Sequence, residues 1–218
     1  AAAFAMLLLI PGKAVGQIFG GSTQGESSSD GDMPFVHGVT IGAGITTFHG
    51  DVSRNPNDNV LKYLSSATPS LLVRADRRFG QFQQFGANVE LQYHRLSAKT
   101  GSSNGPIEVN NNLVALDFTA DYELPYIQQG LFRVFLGVGP LFLISPSYSN
   151  FPEDNENFDA LGSRVVGSLV FGVSMFDTFR IGMRIPTSDY TDGYIGFDGR
   201  KGIDMYGFVG ITHRFSFR

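Results

Sequence analysis

Charged side chains recur at every second position along several otherwise apolar segments of the 218-residue chain. Alternate residues of a β-strand share a face, so these charges would line one side of a sheet. Both signs occur in similar number, which favours mutually paired buried charges over a lone catalytic acid or base. An ion-conducting pore or a proton-linked switch at His94 is the functional alternative. The residues are Arg74, Asp76, Arg78, Glu90, His94, Asp117, Asp121, Glu123, Arg133, Arg164, Arg180, Arg184, Asp204 and Arg214.

Nucleophilic or metal chemistry has little support in the sequence. His213 and Ser216 are three residues apart, so within one strand they face opposite sides and cannot form a base–nucleophile contact. The acidic segments 152–159 and 188–199 do not match the twelve-residue calcium loop and are better explained as solvated loop charge. The chain has no cysteine, which excludes thiolate zinc sites. We predict a protein that is not an enzyme, with no catalytic site, cofactor or bound metal.

Apolar and polar residues alternate over eight segments, and this period of two predicts eight β-strands. Long polar connections, at 51–67, 97–111, 146–162 and 187–201, alternate with short ones at 80–84, 125–130 and 176–178. An even number of strands joined in this way is typical of an all-β, eight-stranded, antiparallel, up-and-down transmembrane β-barrel. The predicted strands span residues 35–50, 68–79, 85–96, 113–124, 132–144, 164–175, 179–186 and 203–218.

The distribution of cations indicates which face of the sheet is buried. None of the four lysines lies in a predicted strand, whereas most of the twelve arginines do. Arginine is preferred where a cation must be paired and partly dehydrated, so the charged face is predicted to be an interior. The apolar face then meets lipid, and a ring of aromatic residues near the short connections would mark a membrane interface. A soluble ligand-binding calyx, with the two faces reversed, is the alternative.

An eight-stranded barrel has an interior just wide enough for side chains to fill. The charged network is therefore predicted to be a structural plug, and a narrow channel is the alternative. Some residues break the pattern: Arg77 and Arg95 have outward parity, near strand ends where a long side chain reaches the interface. Four apolar residues have inward parity and would pack inside the lumen: Leu72, Phe135, Leu141 and Val170.

The last strand continues almost to the end of the chain and has Phe217 as the penultimate residue. In this it resembles bacterial outer-membrane barrels, whose assembly signal is a C-terminal strand ending in an aromatic residue. The resemblance implies that Ile211, Phe215 and Phe217 form such a signal for the barrel-assembly machinery. It also implies contact with outer-membrane lipid.

A second resemblance lies at the end of the first predicted strand. Phe48, Gly50, Asp51 and Val52 match an aromatic-x-Gly-Asp-aliphatic motif that opens many small barrels of the Bacteroidota, of the OmpA/OmpX-like eight-stranded type. Some of those relatives belong to type IX secretion and gliding machinery, where a barrel anchors a periplasmic ring.

The N-terminal residues predict export. Residues 1–16 combine a run of about ten apolar residues with a small-x-small pattern, as in a signal peptide that lacks its own start. Residues 17–34 are rich in Gly and Ser, which predicts a flexible periplasmic lead-in before a barrel domain at 35–218. Both termini of the mature chain would then be periplasmic. A net charge of −4 argues against a nucleic-acid partner.

These features predict a non-enzymatic outer-membrane barrel. Its expected role is structural or adhesive, or that of an anchoring subunit with protein partners in the cell envelope. A narrow channel, a lipid-modifying enzyme and a soluble calyx are the alternatives.

Overall fold

A computed structural model of the chain describes residues 35–50, 67–80, 83–100, 107–124, 132–149, 164–188 and 204–217. The described residues from Val36 to Phe217 belong to one compact unit. The predicted signal peptide (1–16) and lead-in (17–34) lie outside the described residues, as do the acidic segment 152–159 and most of 188–199. In the described ranges, no α-helix reaches the length and apolarity needed to cross a bilayer.

Eight strands form a single closed barrel in which every neighbouring pair is antiparallel and β8 closes against β1. This confirms the predicted fold. Gly38 pairs with Ser216, so the first strand begins where the last one ends, at the same end as the three short connections. The strands are β1 (Gly38–His49), β2 (Thr68–Phe79), β3 (Phe85–Thr100), β4 (Ile107–Glu123), β5 (Phe132–Ser149), β6 (Arg164–Met175), β7 (Phe179–Pro186) and β8 (Met205–Ser216).

Glycines on the inner face allow neighbouring strands to come together in this narrow barrel. A Cβ atom added at Gly139 would lie 2.0 Å from the carbonyl oxygen of Leu116, and one at Gly172 would lie 2.1 Å from that of Ile181. Backbone atoms cannot move away as a flexible side chain can, so these positions require glycine.

The connection between β6 and β7 is a tight turn in which Thr178 N donates to Met175 O at 3.0 Å. Its two central residues, Phe176 and Asp177, both have positive φ, at 56° and 53°. That pair of conformations has the twist that matches a β-hairpin. The Asp177 carboxylate also accepts a hydrogen bond from Arg133 on β5, which holds the turn against the barrel wall.

Three strands are longer than the sequence predicts. β3 continues to Thr100, β4 begins at Ile107 and β5 continues to Ser149, so parts of the predicted connections 97–111 and 146–162 are strand. Conversely, β1 and β8 are shorter than predicted. These strand ends were predicted wrongly because the alternation in β3 and β4 continues with the faces exchanged. Near the long connections the apolar residues, such as Leu96 and Val109, point inward and are buried.

Candidate functional site

The centre of the lumen is occupied by an ion pair that crosses the barrel between strands that are not neighbours. Arg180 on β7 donates from Nη2 to both carboxylate oxygens of Glu90 on β3, at 2.8 and 2.7 Å. The guanidinium carbon also lies 3.6 Å from the centre of the Phe135 ring, a cation–π contact. Thr119 donates to Glu90 at 2.9 Å. The two opposite charges are thereby paired although neither residue is exposed.

A second cross-lumen pair lies one layer further toward the long connections. Arg184 on β7 binds the Asp117 carboxylate on β4 through two hydrogen bonds, at 2.8 and 2.5 Å. The same guanidinium donates to Ser168 Oγ at 2.7 Å and to Gln92 Oε1 at 3.3 Å. Arg184 and Asp117 are both 0% exposed. A bidentate guanidinium–carboxylate pair of this kind is a strong and directional contact.

His94 belongs to this network through both ring nitrogens. The Gln92 side-chain carbonyl accepts from Nε2 at 2.9 Å, and the Thr46 hydroxyl lies 2.8 Å from Nδ1. Gln92 in turn donates to Glu90 at 2.9 Å. With a hydrogen-bond partner at each ring nitrogen, His94 has the pattern of a structural hydrogen-bond link.

The end of the lumen near the short connections contains a cluster of alternating charges. Arg214 on β8 donates to both oxygens of Asp76 on β2, at 2.9 and 2.7 Å. Arg78 lies between two carboxylates, with an ion pair to Asp121 and a 3.5 Å contact to Asp76. Asn88 donates to Asp121 at 2.9 Å. Each carboxylate therefore has at least one cationic neighbour.

The remaining ionisable residues singled out from the sequence lie at the edges of these clusters. Arg133 binds Glu123 at 2.9 Å as well as the turn residue Asp177. Arg74 is buried and donates to the Thr40 hydroxyl at 3.1 Å. Arg164 and Asp204 lie at the opposite end of the barrel, where the strands lead into the long connections.

On the side of the charged layers that faces the long connections, a cluster of apolar side chains fills the lumen, here called the upper cluster. The sequence analysis placed only one of its members, Leu141, inside the barrel. A second group, Phe135, Val170 and Phe208, packs lower down beside the central ion pair. The signal that would identify the missed members of the upper cluster is inward parity, which a search for outward apolar faces passes over. The upper cluster consists of Phe48, Leu96, Val109, Leu113, Ala115, Leu141, Leu143 and Tyr206.

In the part of the lumen that the structure describes, there is space for a few water molecules beside the charged network. A cavity of about 30 Å³ is lined in part by Gln92, His94, Arg180 and Phe208. A water molecule needs roughly 10–15 Å³ of such space, so the cavity fits about two. Among the described residues, no three His, Asp or Glu side chains are arranged as metal ligands. The cross-lumen ion pairs are suited to holding the strands of the barrel together.

The outer surface of the barrel is apolar where the inner surface is polar. Phe118, Leu136, Val138, Val165 and Ile211 project outward and are 55–62% exposed. Lipid is the solvent that such a surface fits, because in water it would be a large exposed apolar patch. This orientation of the faces is the opposite of that in a soluble calyx.

Aromatic residues line the end of the barrel at the short connections. Strand register places Phe79 opposite Phe85, and Phe85 opposite Tyr122, and the last two rings are 4.9 Å apart. Phe132 and Phe176 form another pair, 6.3 Å apart. Such a row is typical of the girdle at a membrane–water interface.

The three residues of the predicted assembly signal lie on the outside of β8 or directly after it. Ile211, Phe215 and Phe217 are 62%, 47% and 49% exposed. Phe217 N donates to His37 O at 2.9 Å, so the last strand stays paired to its end. The exposed His213 ring packs against Phe215, whereas the Ser216 hydroxyl accepts a hydrogen bond from Arg214. His213 and Ser216 are therefore not in contact with each other.

The Phe48–Gly50 motif has a packing explanation. Phe48 is buried in the upper apolar cluster, with its ring 6.4 Å from that of Tyr206. A Cβ atom at Gly50 would lie 2.2 Å from the Phe48 ring and 2.6 Å from the Asp204 carboxylate. A larger residue at this position would therefore have to displace the Phe48 ring or the Asp204 carboxylate. Asp51 and Val52 lie outside the described residues.

A closed barrel with an apolar exterior, an aromatic row at one end and a filled polar interior defines a class of protein, the eight-stranded transmembrane β-barrel of the outer-membrane type. No protein-family model matches the chain, and no curated protein matches its sequence.

Among the solved structures that resemble the chain at low identity are three bacterial proteins. The attachment invasion locus protein Ail of Yersinia pestis, in complex with the heparin analogue sucrose octasulfate, is 12% identical with a TM-score of 0.42, and the match covers 82% of this chain and 97% of Ail. Neisserial surface protein A is 14% identical, with a TM-score of 0.41 and coverage of 83% and 96%. The N-terminal β-barrel domain of Pseudomonas aeruginosa OprF is 14% identical, with a TM-score of 0.37 and coverage of 82% and 98%. The strand pairing of the chain itself defines its fold as a closed eight-stranded barrel.

Proposed function

We propose that the chain is a non-conducting outer-membrane barrel with a structural role: it presents polar connections at one end while lipid surrounds its wall. The observation that carries this proposal is the filled lumen. Two layers of cross-lumen ion pairs, from Arg180 and Arg184, lie beneath a buried apolar cluster that includes Phe48 and Tyr206. An open aqueous pore needs a continuous polar path, and the apolar cluster interrupts it.

The proposal extends to an adhesive role or an anchoring role within an envelope assembly. The four long connections supply polar surface on one side of the membrane, and the termini and short turns supply the other. We propose that the long connections are extracellular and both termini periplasmic, since short periplasmic turns are the rule in such barrels. A signal peptide and recognition of the β8 end by the barrel-assembly machinery belong to the same proposal.

The motif at Phe48 and Gly50 supports a finer proposal, that the chain belongs with the small barrels of the Bacteroidota and shares an anchoring role with those of type IX secretion. The support is the resemblance of four residues in sequence. The packing of Phe48 on β1 against Tyr206 on β8 gives the aromatic position of the motif a role in closing this barrel.

The test combines migration and conductance. After membrane fractionation, the unheated protein is expected to migrate faster than the heated protein on a detergent gel, and to occur in the outer-membrane fraction. The same folded protein in a planar bilayer is expected to give no stepwise current. Discrete conductance steps would establish a channel instead, and a soluble protein without a mobility shift would overturn the membrane assignment.

A further inference from the structure

The outer surface of the barrel changes from apolar to polar at a defined level on β3, β4 and β5. Tyr93 and Val114 are paired at the upper edge of the apolar wall. The next outward pair is Arg95 and Asn112, and the one above it is Ser97 and Asn110. Tyr93 marks the boundary by donating from its hydroxyl to Asn112 Oδ1 at 2.7 Å. The wall therefore meets the polar headgroup layer at Arg95.

An open groove of about 500 Å³ lies at this level. It is shaped by a β-bulge, because Asn110 pairs with Ser147 whereas Asn112 pairs with Ile144, so that β5 has one extra residue. Bulges bend a strand and redirect its side chains, often next to functional sites. The residues lining the groove are Arg95, Asn110, Asn111, Asn112 and Ser147.

The groove brings together a guanidinium group, side-chain amides and a hydroxyl group. Arg95 is exposed, and among the described residues no carboxylate forms an ion pair with it, so its guanidinium is available to a phosphate. The nearest charges along the strand, Lys99 and Glu108, are paired with each other at 2.6 Å. Amide side chains both donate and accept hydrogen bonds, which suits the hydroxyl groups of a saccharide.

We propose that this groove binds the phosphorylated saccharide headgroup of an outer-leaflet glycolipid. The proposal rests on the proposed function, since it requires that this end of the barrel faces the outer leaflet. An amphiphile fits because the groove is continuous with the apolar wall: Tyr93, Val114 and Phe142 form the outward row directly beneath it. One lipid molecule therefore contacts the wall with its acyl chains and the groove with its headgroup.

The experiment measures stabilisation of the folded, full-length protein in neutral detergent micelles by an added lipid. The probes are an acylated diphosphoryl diglucosamine and, at equal charge, phosphatidylglycerol. The readout is the fraction that keeps the fast, folded gel mobility after heating. We expect the glycolipid to raise the melting temperature in a saturable way, and Arg95→Gln to weaken its apparent affinity about 10- to 100-fold, because one charge-assisted contact is lost.

Arg77→Gln is the matched control, because Arg77 is an outward arginine of the same barrel at the other end, beside Phe79. It should bind the glycolipid as the parent does. Equal affinity of Arg95→Gln and the parent would overturn the proposal, as would equal stabilisation by phosphatidylglycerol that does not depend on Arg95. A failure of the proposed function looks different, since the parent would then lack heat-modifiable migration or would conduct ions.

Discussion

Replacement of Asp117 by Asn tests whether the lumen network holds the barrel together. Asp117 is fully buried and accepts two hydrogen bonds from Arg184, which is itself 0% exposed. Asn keeps the size of the side chain but removes its negative charge. Ser168 and Gln92 still accept from the guanidinium, but neither supplies a compensating charge.

The size of the effect follows from burial. Removing one partner of a buried ion pair costs about 3–5 kcal/mol, because the other charge remains buried and unpaired. At about 1.4 kcal/mol per factor of ten, this corresponds to a change of roughly two to three and a half powers of ten in the unfolding equilibrium constant. An exposed pair is worth only about 0–1 kcal/mol.

The assay is urea unfolding of the refolded protein in lipid vesicles, with the folded fraction read from the gel mobility of unheated samples. Glu108→Gln is the control, because Glu108 pairs with Lys99 on the surface, where the lysine side chain is 63% exposed. We expect the midpoint for Asp117→Asn to fall far below that of the parent, and the midpoint for Glu108→Gln to stay close to it.

A double variant, Asp117→Leu with Arg184→Met, distinguishes the cost of an unpaired buried charge from the cost of altering side chains at this place in the lumen. Replacing both partners removes the uncompensated charge, so the double variant should be more stable than Asp117→Asn. The reasoning would be refuted if Asp117→Asn were no more damaging than Glu108→Gln. Strictly additive effects of the single replacements in a double-mutant cycle would also contradict it.

Two further outcomes follow from the fold. Gly139→Ala should lower folding yield and cost about 1–3 kcal/mol in urea unfolding, because its Cβ would lie 2.0 Å from Leu116 O. Gly167→Ala, whose nearest neighbour would be 3.4 Å away, is the control and should fold normally. The chain lacks cysteine, so single cysteines report orientation: Ser188→Cys should react with an impermeant maleimide on intact cells, and Gln84→Cys only after the outer membrane is permeabilised. The reverse pattern would invert the proposed orientation.

The number of strands and the direction of their faces were predictable because they depend on local alternation. Arg74, Asp76 and Arg78 occupy alternate positions, and the sheet turns all of them inward. The same rule placed Leu141 and Phe135 inside. These assignments need only the period of a strand.

Partners across the lumen could not be predicted in this way. Arg180 and Glu90 are 90 residues apart and lie on strands that do not pair, so their contact depends on the tilt and stagger of the closed barrel.

The ends of β3 and β4 were predicted wrongly for a different reason. Beyond the apolar part of the outer surface, toward the long connections, the outward residues become polar (Arg95 and Asn112) and the inward ones apolar (Leu96). The alternation continues there, but with the polar and apolar faces exchanged.

The cross-lumen pairs also constrain how the chain folds. Before β8 meets β1, the sheet is open and Glu90, Asp117 and their arginines lie on separated strands. An open sheet in lipid would leave those charges without partners, and it would also leave the backbone groups of its two edge strands unpaired. Both effects raise the free energy of intermediates in which only some strands are inserted. Barrel closure and charge pairing should therefore occur in one cooperative step. Because these contacts join distant parts of the chain, that step should be slow without a catalyst.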